Sequence, residues 1–238
     1  MSKGQTSTAK LGGRNPLRVI VDVCLALTLV LIQATALIEE APHEALGLVT
    51  FALVIAHVVI GRKRVMALIR GRKSVGKIIG LAIDVLMVVL IIAQIASCIV
   101  LSKHVFSWLP VIPGVAWARP THLLCGYWLF VLAFIHAGIN VDRLPRPLRE
   151  NVILKYAAVF AFAASAIAGA YFFFAMGLPS YLFMKVQFSF ADPSVSLLVR
   201  FVEWACIASM FTAATRLVII GFDALKRKLE KDRNTSET

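Results

Sequence analysis

The sequence predicts an all-α integral membrane protein that crosses the bilayer six times. Hydrophobic residues make up 59% of the 238 positions and charged residues only 16%, which is too few charges to cover a water-exposed surface. The long apolar runs lack the alternation of a β-barrel strand, so they indicate helices. Each crossing needs about 20 residues, and six segments reach or approach that length: 18–38, 43–60, 78–102, 120–141, 152–176 and 195–222.

Basic residues indicate the orientation of these spans. Most of the 25 lysines and arginines lie before the first span or after the second, fourth and sixth spans, which are all on one side if six helices alternate. By the positive-inside rule that side is the cytoplasm. We therefore expect a multi-pass membrane protein, with cytoplasmic tails at 1–17 and 223–238 and the first span retained as an anchor. Basic loops that orient the spans and contact anionic lipid also account for the net charge of +12, so no nucleic-acid partner is expected.

An internal repeat organises the first four spans. HEALGLVTFALVIAH (43–57) aligns without a gap with HLLCGYWLFVLAFIH (122–136). We expect one membrane domain in which residues 18–60 and 78–141 are two copies related by a pseudo-two-fold axis along the membrane normal. Residues 152–222 add two helices and complete the bundle. The preceding spans also correspond, each with an aspartate near its start and a glutamine in its outer half: Asp22, Gln33, Asp84 and Gln94.

Four of the five histidines occupy matched positions in this repeat. The 14 residues between the two histidines of one span make about four helical turns and rise about 21 Å, so both lie on one face at opposite depths. His43 is then level with His122 near the outer surface, and His57 with His136 near the inner surface. Two facing imidazoles are the axial ligands of a low-spin b-type haem, and neutral imidazole brings no charge into the bilayer. The sequence therefore predicts two haem b sites with bis-histidine ligation.

Two glycines support this prediction. Gly47 and Gly126 each follow the outer histidine by four residues, on the face where a side chain would collide with a porphyrin. Zinc or copper would need more ligands at one depth and closer spacing. The alternative is a haem-free transporter or scaffold subunit whose histidines pack or bind a metal.

Several polar residues are candidates for contacts to the edges of the haems. Gln33 and Gln94 are expected to bond a ligand imidazole or a haem edge, or else to join helices. Cations near the span ends are candidate partners of propionates, although each is also a plausible interfacial residue. They are Arg119 and Lys103 on the outer side and Arg62, Lys63 and Arg143 on the inner side.

These motifs resemble the cytochrome b core and, more closely, the small bacterial flavinylation-associated cytochrome family. HEALGLVTFALVIAH is similar to the His-Glu-x-x-Gly…His helix of that family. HAGIN (136–140) resembles its His-x-Gly-x-His motif, with Asn140 where another histidine is expected. GAYFFFAMGLPSYLFMKVQFSFAD, starting at Gly169, is similar to its fifth helix and following loop. The resemblance covers most of 18–222 and implies transmembrane electron transfer, often beside extracytoplasmic flavin-carrying proteins.

The function expected from the sequence is electron transfer through two haems. The donor is a quinol or a cytoplasmic-side partner, and the acceptor is an extracytoplasmic, flavin-bearing or other redox protein. Whether the chain is itself a quinol-linked oxidoreductase, the cytochrome b subunit of one, or a plain conduit stays open. The aromatic outer loop 103–119 is a candidate lid that borders a quinone. Weaker candidates at a quinone or proton site are Tyr181, Phe188, Asp192, Glu203 and Arg216.

Overall fold

The computed structural model describes residues 16–35, 40–70, 75–110, 112–140, 151–187 and 194–236. Within these ranges the regular structure is helical, and every helix except the short α6 is long and apolar enough to cross a membrane. This confirms the prediction of an all-α, multi-pass membrane protein with six spans. The helices are α1 (Pro16–Thr35), α2 (Glu40–Arg70), α3 (Val75–Leu101), α4 (Val115–Asn140), α5 (Val152–Ala175), α6 (Leu178–Leu182) and α7 (Leu197–Ser236).

Two helices extend beyond the apolar segments that predicted them. The apolar part of α2 ends near Lys63, but the helix continues to Arg70. Similarly, α7 continues to Ser236, well past residue 222. Both extensions contain arginine, leucine and alanine, and that of α7 also contains lysine; these residues favour helix in water as well. Hydropathy therefore located the part of each helix that suits a bilayer and not the point at which the helix ends.

Local signals set the ends of α5 and α6. The side chain of Asn151 accepts a hydrogen bond from the backbone N–H of Leu154 at 3.0 Å, which satisfies one of the unpaired donors at the start of α5. Gly177 turns the chain into α6 with φ of 67°, a backbone conformation that glycine adopts without a steric penalty. Pro179 lies in the first turn of α6, where no amide hydrogen is needed.

Packing divides the bundle into two helix pairs and a connecting unit. Helix α1 packs against α2 and α3 packs against α4, while α7 packs against α5, α4 and α1. The buried core lies where α4, α6, α7 and α1 meet and includes Phe130, Leu178, Trp204 and Ile207. The indole N–H of Trp128 donates to the carbonyl of Leu182 at 3.0 Å and so fastens α6 to α4.

Two glycines allow the helices around α7 to approach closely. A Cβ atom added at Gly169 would overlap the backbone of Cys206, and one at Gly138 would lie 2.7 Å from Cβ of Thr215. The hydroxyl of Ser165 donates to that of Ser209 at 3.1 Å across the same α5–α7 contact. Small residues of this kind are typical of contacts between membrane helices. Outward-facing positions instead carry large exposed apolar side chains, as lipid contact requires.

Candidate functional site

A cavity of about 2190 Å³ separates the α1–α2 pair from the α3–α4 pair. Its wall is mostly valine, leucine, isoleucine and phenylalanine, and residues of α7 such as Phe211 and Thr215 close one side. Among the described residues, α2 has no packing against α3 or α4 comparable to that within each pair. Ligand pockets commonly measure about 300–1,000 Å³, so this space is large enough for more than one sizeable ligand.

All four histidines of the repeat line this cavity, and they meet in two pairs. The ring centres of His43 and His122 are 6.0 Å apart with an interplanar angle of 65°. The ring centres of His57 and His136 are 6.2 Å apart with an angle of 74°. We call these the His43 pair and the His57 pair. Each joins α2 to α4 across the gap, at one of two depths.

Each histidine of the His57 pair has an aspartate as its hydrogen-bond partner. Nδ1 of His57 donates to Oδ1 of Asp22 at 2.7 Å, and Nδ1 of His136 donates to Oδ1 of Asp84 at 2.7 Å. A carboxylate at Nδ1 orients the ring and leaves the Nε2 lone pair for another partner. Both aspartates lie within membrane spans, where acidic residues are rare and usually functional. The sequence comparison matched these aspartates but did not assign them this role.

Asn140 breaks the symmetry of the His57 pair. Its side-chain amide donates to the carbonyl of His136 at 2.8 Å and lies 3.2 Å from Nε2 of the same histidine. The equivalent residue in the first copy is Gly61, which has no side chain. Asn140 therefore contacts His136 from one turn further along the same helix, α4.

The hydrogen-bonding neighbours of the His43 pair are neutral, although the carboxylate of Glu44 lies near His43. The amide of Gln94 lies 3.1 Å from Nδ1 of His122, and Gln94 Oε1 is buried without a hydrogen-bond partner. The amide oxygen and nitrogen are nearly equal in size, so rotating the amide by half a turn lets Oε1 accept the Nδ1–H. In that arrangement Oε1 pairs with the imidazole, and the amide nitrogen takes the buried position that has no partner. Gln94 thus contacts a histidine, one of the two roles expected from the sequence.

The matching glutamine takes the other expected role. Nε2 of Gln33 donates to the backbone carbonyl of Gly126 at 3.1 Å and so joins α1 to α4. His43 therefore lacks the glutamine partner that His122 has. Its ring lies near the carbonyl of Ile32, but its Nδ1 is buried without a hydrogen-bond partner.

The glycines that follow the histidines line the cavity and are not required by helix packing. A Cβ atom added at Gly47 would lie 3.7 Å from Cδ1 of Ile32, and one at Gly126 would lie 3.7 Å from Nε2 of Gln94. Both distances are ordinary van der Waals contacts. Gly138, in contrast, admits no side chain beside Thr215. The absence of a side chain at Gly47 and Gly126 therefore keeps the cavity open and does not serve a helix contact.

The predicted propionate partners differ in their position relative to the cavity. Arg119 lines the cavity at the His43 end and is exposed. Lys103 also lines it, but its ammonium group pairs with Oε1 of Glu40 at 2.6 Å. Arg62 and Lys63 are exposed on α2 and are not part of the cavity wall. Arg143 lies outside the described residues, as do Phe188 and Asp192.

Two basic residues at the His57 end were missed by the sequence reasoning. Arg18 and Lys77 both line the cavity, and Nε of Arg18 lies 3.7 Å from Oδ2 of Asp22, one helical turn further on. The signal was present, because residues four apart share a helix face and Asp22 was already matched in the repeat. Both cations had instead been interpreted as part of the basic flanks.

Glu44 was also missed, and it covers the His43 end of the cavity. Its carboxylate accepts hydrogen bonds from the hydroxyl of Ser102 at 2.7 Å and from the backbone N–H groups of Lys103, His104 and Val105 at 2.8, 3.1 and 2.8 Å. Val105 and the following Phe106 line the cavity. Of the loop predicted as a lid, this short segment lines the cavity, whereas Trp108 and Trp117, at 76% and 47% exposure, face outward.

The fold and the site together define a multi-pass helical membrane protein that encloses a large apolar cavity with two pairs of histidines. Comparison with family models, curated proteins and solved structures finds no match to this chain. Within the described ranges, no group of three or more His, Cys, Asp and Glu side chains is arranged to hold a metal ion. Each histidine pair offers two imidazoles at its own depth.

Proposed function

We propose that this protein carries electrons across the bilayer through two b-type haems, one held by His43 and His122 and the other by His57 and His136. The observation that supports this best is the separation of the rings, 6.0 and 6.2 Å between centres. Imidazole nitrogens bind metals at about 2.0–2.1 Å. At this bond length two imidazoles would reach a single iron when their ring centres are about 6 Å apart.

The residues around the pairs fit a haem at each depth. The cavity of about 2190 Å³ has room for two large planar groups. Gly47 and Gly126 leave its wall open where a methyl group would otherwise fit.

Residues of the chain orient histidines and exclude water at the proposed sites. When bound, each haem supplies a one-electron couple between ferrous and ferric iron. Asp22 and Asp84 orient His57 and His136 and make their rings more basic. The apolar wall excludes water and ions, which are expensive in hydrocarbon. The rise of about 21 Å between the pairs spans most of the roughly 30 Å hydrocarbon core.

The charged groups at the two ends suggest how the haems are anchored and how the chain is oriented. Arg119 would hold a propionate at the His43 end, and Arg18 and Lys77 would hold one at the His57 end, since all three line the cavity. The basic loops support a bacterial inner-membrane location with cytoplasmic termini. The donor is then a quinol or a cytoplasmic-side partner, and the acceptor is an extracytoplasmic, flavin-bearing or other redox protein. On this proposal the chain is an electron-transfer cytochrome or a subunit of a quinol-linked oxidoreductase.

The proposal is tested by purifying the protein from cells supplied with a haem precursor and measuring haem per chain and the reduced visible spectrum. We expect a b-type spectrum and two haems per chain. His43→Ala and His122→Ala should each remove one haem, and His57→Ala should remove the other.

The matched control is His104→Ala, because the His104 side chain is exposed and only its backbone N–H donates to Glu44. It should retain both haems. A colourless protein would contradict the proposal and favour the haem-free transporter or scaffold, and zinc bound in its place would favour the metal-binding form of that alternative. Loss of the same haem from His43→Ala and His57→Ala would contradict the assignment of the pairs.

A further inference from the structure

A second cavity of about 390 Å³ lies where the end of α5, α6 and the start of α7 meet α4. The α5 span ends at Ala175 and the α7 span begins at Leu197, so the cavity lies at the end of both spans. Three tyrosines line it, Tyr127, Tyr171 and Tyr181. Tyrosine is enriched where the hydrocarbon of a bilayer meets water, with its ring at the level of the lipid headgroups. The cavity is therefore at the depth of the headgroups.

The cavity opens toward the lipid beside α5. Tyr171 and Ala175 line the cavity and are both exposed on the surface of α5. Ile167 and Phe174, one turn to either side of Tyr171, are 74% and 71% exposed, so the surface of α5 next to the opening is apolar. A molecule with its polar end in the cavity can therefore lay hydrocarbon chains along α5.

The polar part of the cavity wall is a charged pair. Arg200 and Glu203 both line the cavity, and Nη1 of Arg200 donates to Oε2 of Glu203 at 3.0 Å. Each side chain is only 15% exposed, and removing charges from water is costly unless their remaining donors and acceptors are also bonded. A guanidinium has five N–H donors, and among the described residues that of Arg200 uses one of them, on Glu203. The pair therefore has donors and an acceptor oxygen for a group in the cavity.

We infer that this cavity binds the headgroup of an aminophospholipid, a zwitterion that carries a phosphate and a primary ammonium group. The phosphate accepts paired N–H groups of the Arg200 guanidinium, a geometry that arginine favours with oxyanions. The ammonium group donates to the carboxylate of Glu203, and the acyl chains leave past Tyr171.

The charge of the pair selects among lipids. Arg200 and Glu203 together carry no net charge, so they complement a zwitterion, whereas the carboxylate of Glu203 repels an anionic headgroup. A choline headgroup has no N–H group to donate to that carboxylate. The histidine pairs take no part in this binding, so the inference does not depend on the haem proposal.

Titration of the purified full-length protein in detergent with dioleoylphosphatidylethanolamine, followed by native mass spectrometry, tests the inference. We expect one such lipid to bind about tenfold more tightly than dioleoylphosphatidylglycerol or dioleoylphosphatidylcholine. The absence of a preference among the three lipids overturns the inference. Glycerophosphoethanolamine has the same headgroup without acyl chains and should bind far more weakly. Equal affinity for it would show that the site takes a soluble molecule and would overturn the assignment to a lipid.

Glu203→Gln tests the role of charge. The amide can still accept the hydrogen bond of Arg200, so the variant should fold, but the ammonium group loses a charged partner. We expect phosphatidylethanolamine to bind about tenfold more weakly and phosphatidylglycerol more tightly, because the repulsion of the anionic headgroup is removed. The matched control is Glu230→Gln, which alters an exposed ion pair with Lys226 on the same helix and should change neither affinity. An unchanged lipid preference in Glu203→Gln contradicts the inference.

Ala175→Trp tests the location of the bound lipid. A large side chain at this exposed lining position should block the opening and weaken phosphatidylethanolamine binding about tenfold without altering the charged pair. Ala157→Trp is the control, at an exposed alanine of α5 that is not part of the cavity wall. Equal affinities of the two variants would place the lipid elsewhere and overturn the inference. Size-exclusion chromatography establishes that each variant is folded.

Discussion

Each histidine pair joins matched positions of the two sequence repeats, yet different groups surround the two pairs. In the His57 pair each ring donates to a carboxylate at 2.7 Å. In the His43 pair one ring contacts the neutral amide of Gln94 and the other has an unpaired Nδ1. The sequence repeat therefore supplies four imidazoles at matched positions, while the neighbouring helices give each pair a different electrostatic environment.

This difference indicates a direction for electron transfer. A carboxylate at Nδ1 makes an imidazole more electron-rich, which stabilises ferric iron and lowers the reduction potential. Two carboxylates act on the His57 pair and none acts in the same way on the His43 pair. Under the proposed function, the His57 end has the lower potential, and electrons pass favourably from it toward the His43 end.

The largest expected effect comes from filling the cavity wall beside one pair only. Gly126→Leu places a side chain where the open wall now lies, so the protein should lose about one haem per chain and keep the one at the His57 pair. Haem content and the reduced spectrum measure this. Gly221→Leu is the control, since Gly221 is on α7 and a Cβ atom added there would meet no neighbouring side chain. Retention of two haems in Gly126→Leu would show that the glycine does not provide clearance.

The next largest effect tests the carboxylates. Asp22→Asn and Asp84→Asn should each raise the potential of the haem at the His57 pair by about 60 mV, because a charge-assisted hydrogen bond of about 1.5 kcal/mol becomes neutral. An optical redox titration of the purified protein measures both potentials. The double variant should bring the two haems closer in potential. Equal shifts in the reduction potentials of both haems would show that the two carboxylates do not act on the His57 pair alone.

A smaller effect is expected from the neutral partner of the His43 pair. Gln94→Leu removes an acceptor of the His122 Nδ1–H and should raise the potential of that haem by about 30 mV, roughly half the aspartate effect. Gln94→Glu should move it in the opposite direction, since a carboxylate then faces His122. The same titration checks both variants. A drop in potential in Gln94→Leu would show that the amide donates to the ring instead.

The smallest effect concerns the loop that covers the His43 end. Glu44 holds four groups of this loop, whereas Glu40 makes one exposed ion pair with Lys103. Glu44→Ala should lower the thermal midpoint in detergent and speed transfer of the nearer haem to apomyoglobin a fewfold. Glu40→Ala should change little, because exposed ion pairs contribute about 0–1 kcal/mol. Similar behaviour of both variants would contradict a special role for Glu44 in closing this end.

Some features of the site could be predicted because they depend on short stretches of chain. Helical geometry alone places His43 and His57 on one face and at two depths. The gapless match to His122 and His136 carries the same geometry to the second copy. The glycines follow from the same alignment. Asp22 and Asp84 were visible as matched residues, but nothing local showed which ring each would meet.

The sequence by itself determined the number of spans and the spacing of the histidines, because hydropathy and helical pitch depend on neighbouring residues. Only the tertiary structure decided that Asp22 meets His57 and that Gln94 and Gln33 have different partners. These contacts join residues on separate helices, and they depend on how the helices rotate and how closely they pack. Close packing at Gly138 and Gly169 sets the positions of α4, α5 and α7, whereas the wide gap between α2 and α4 forms the cavity.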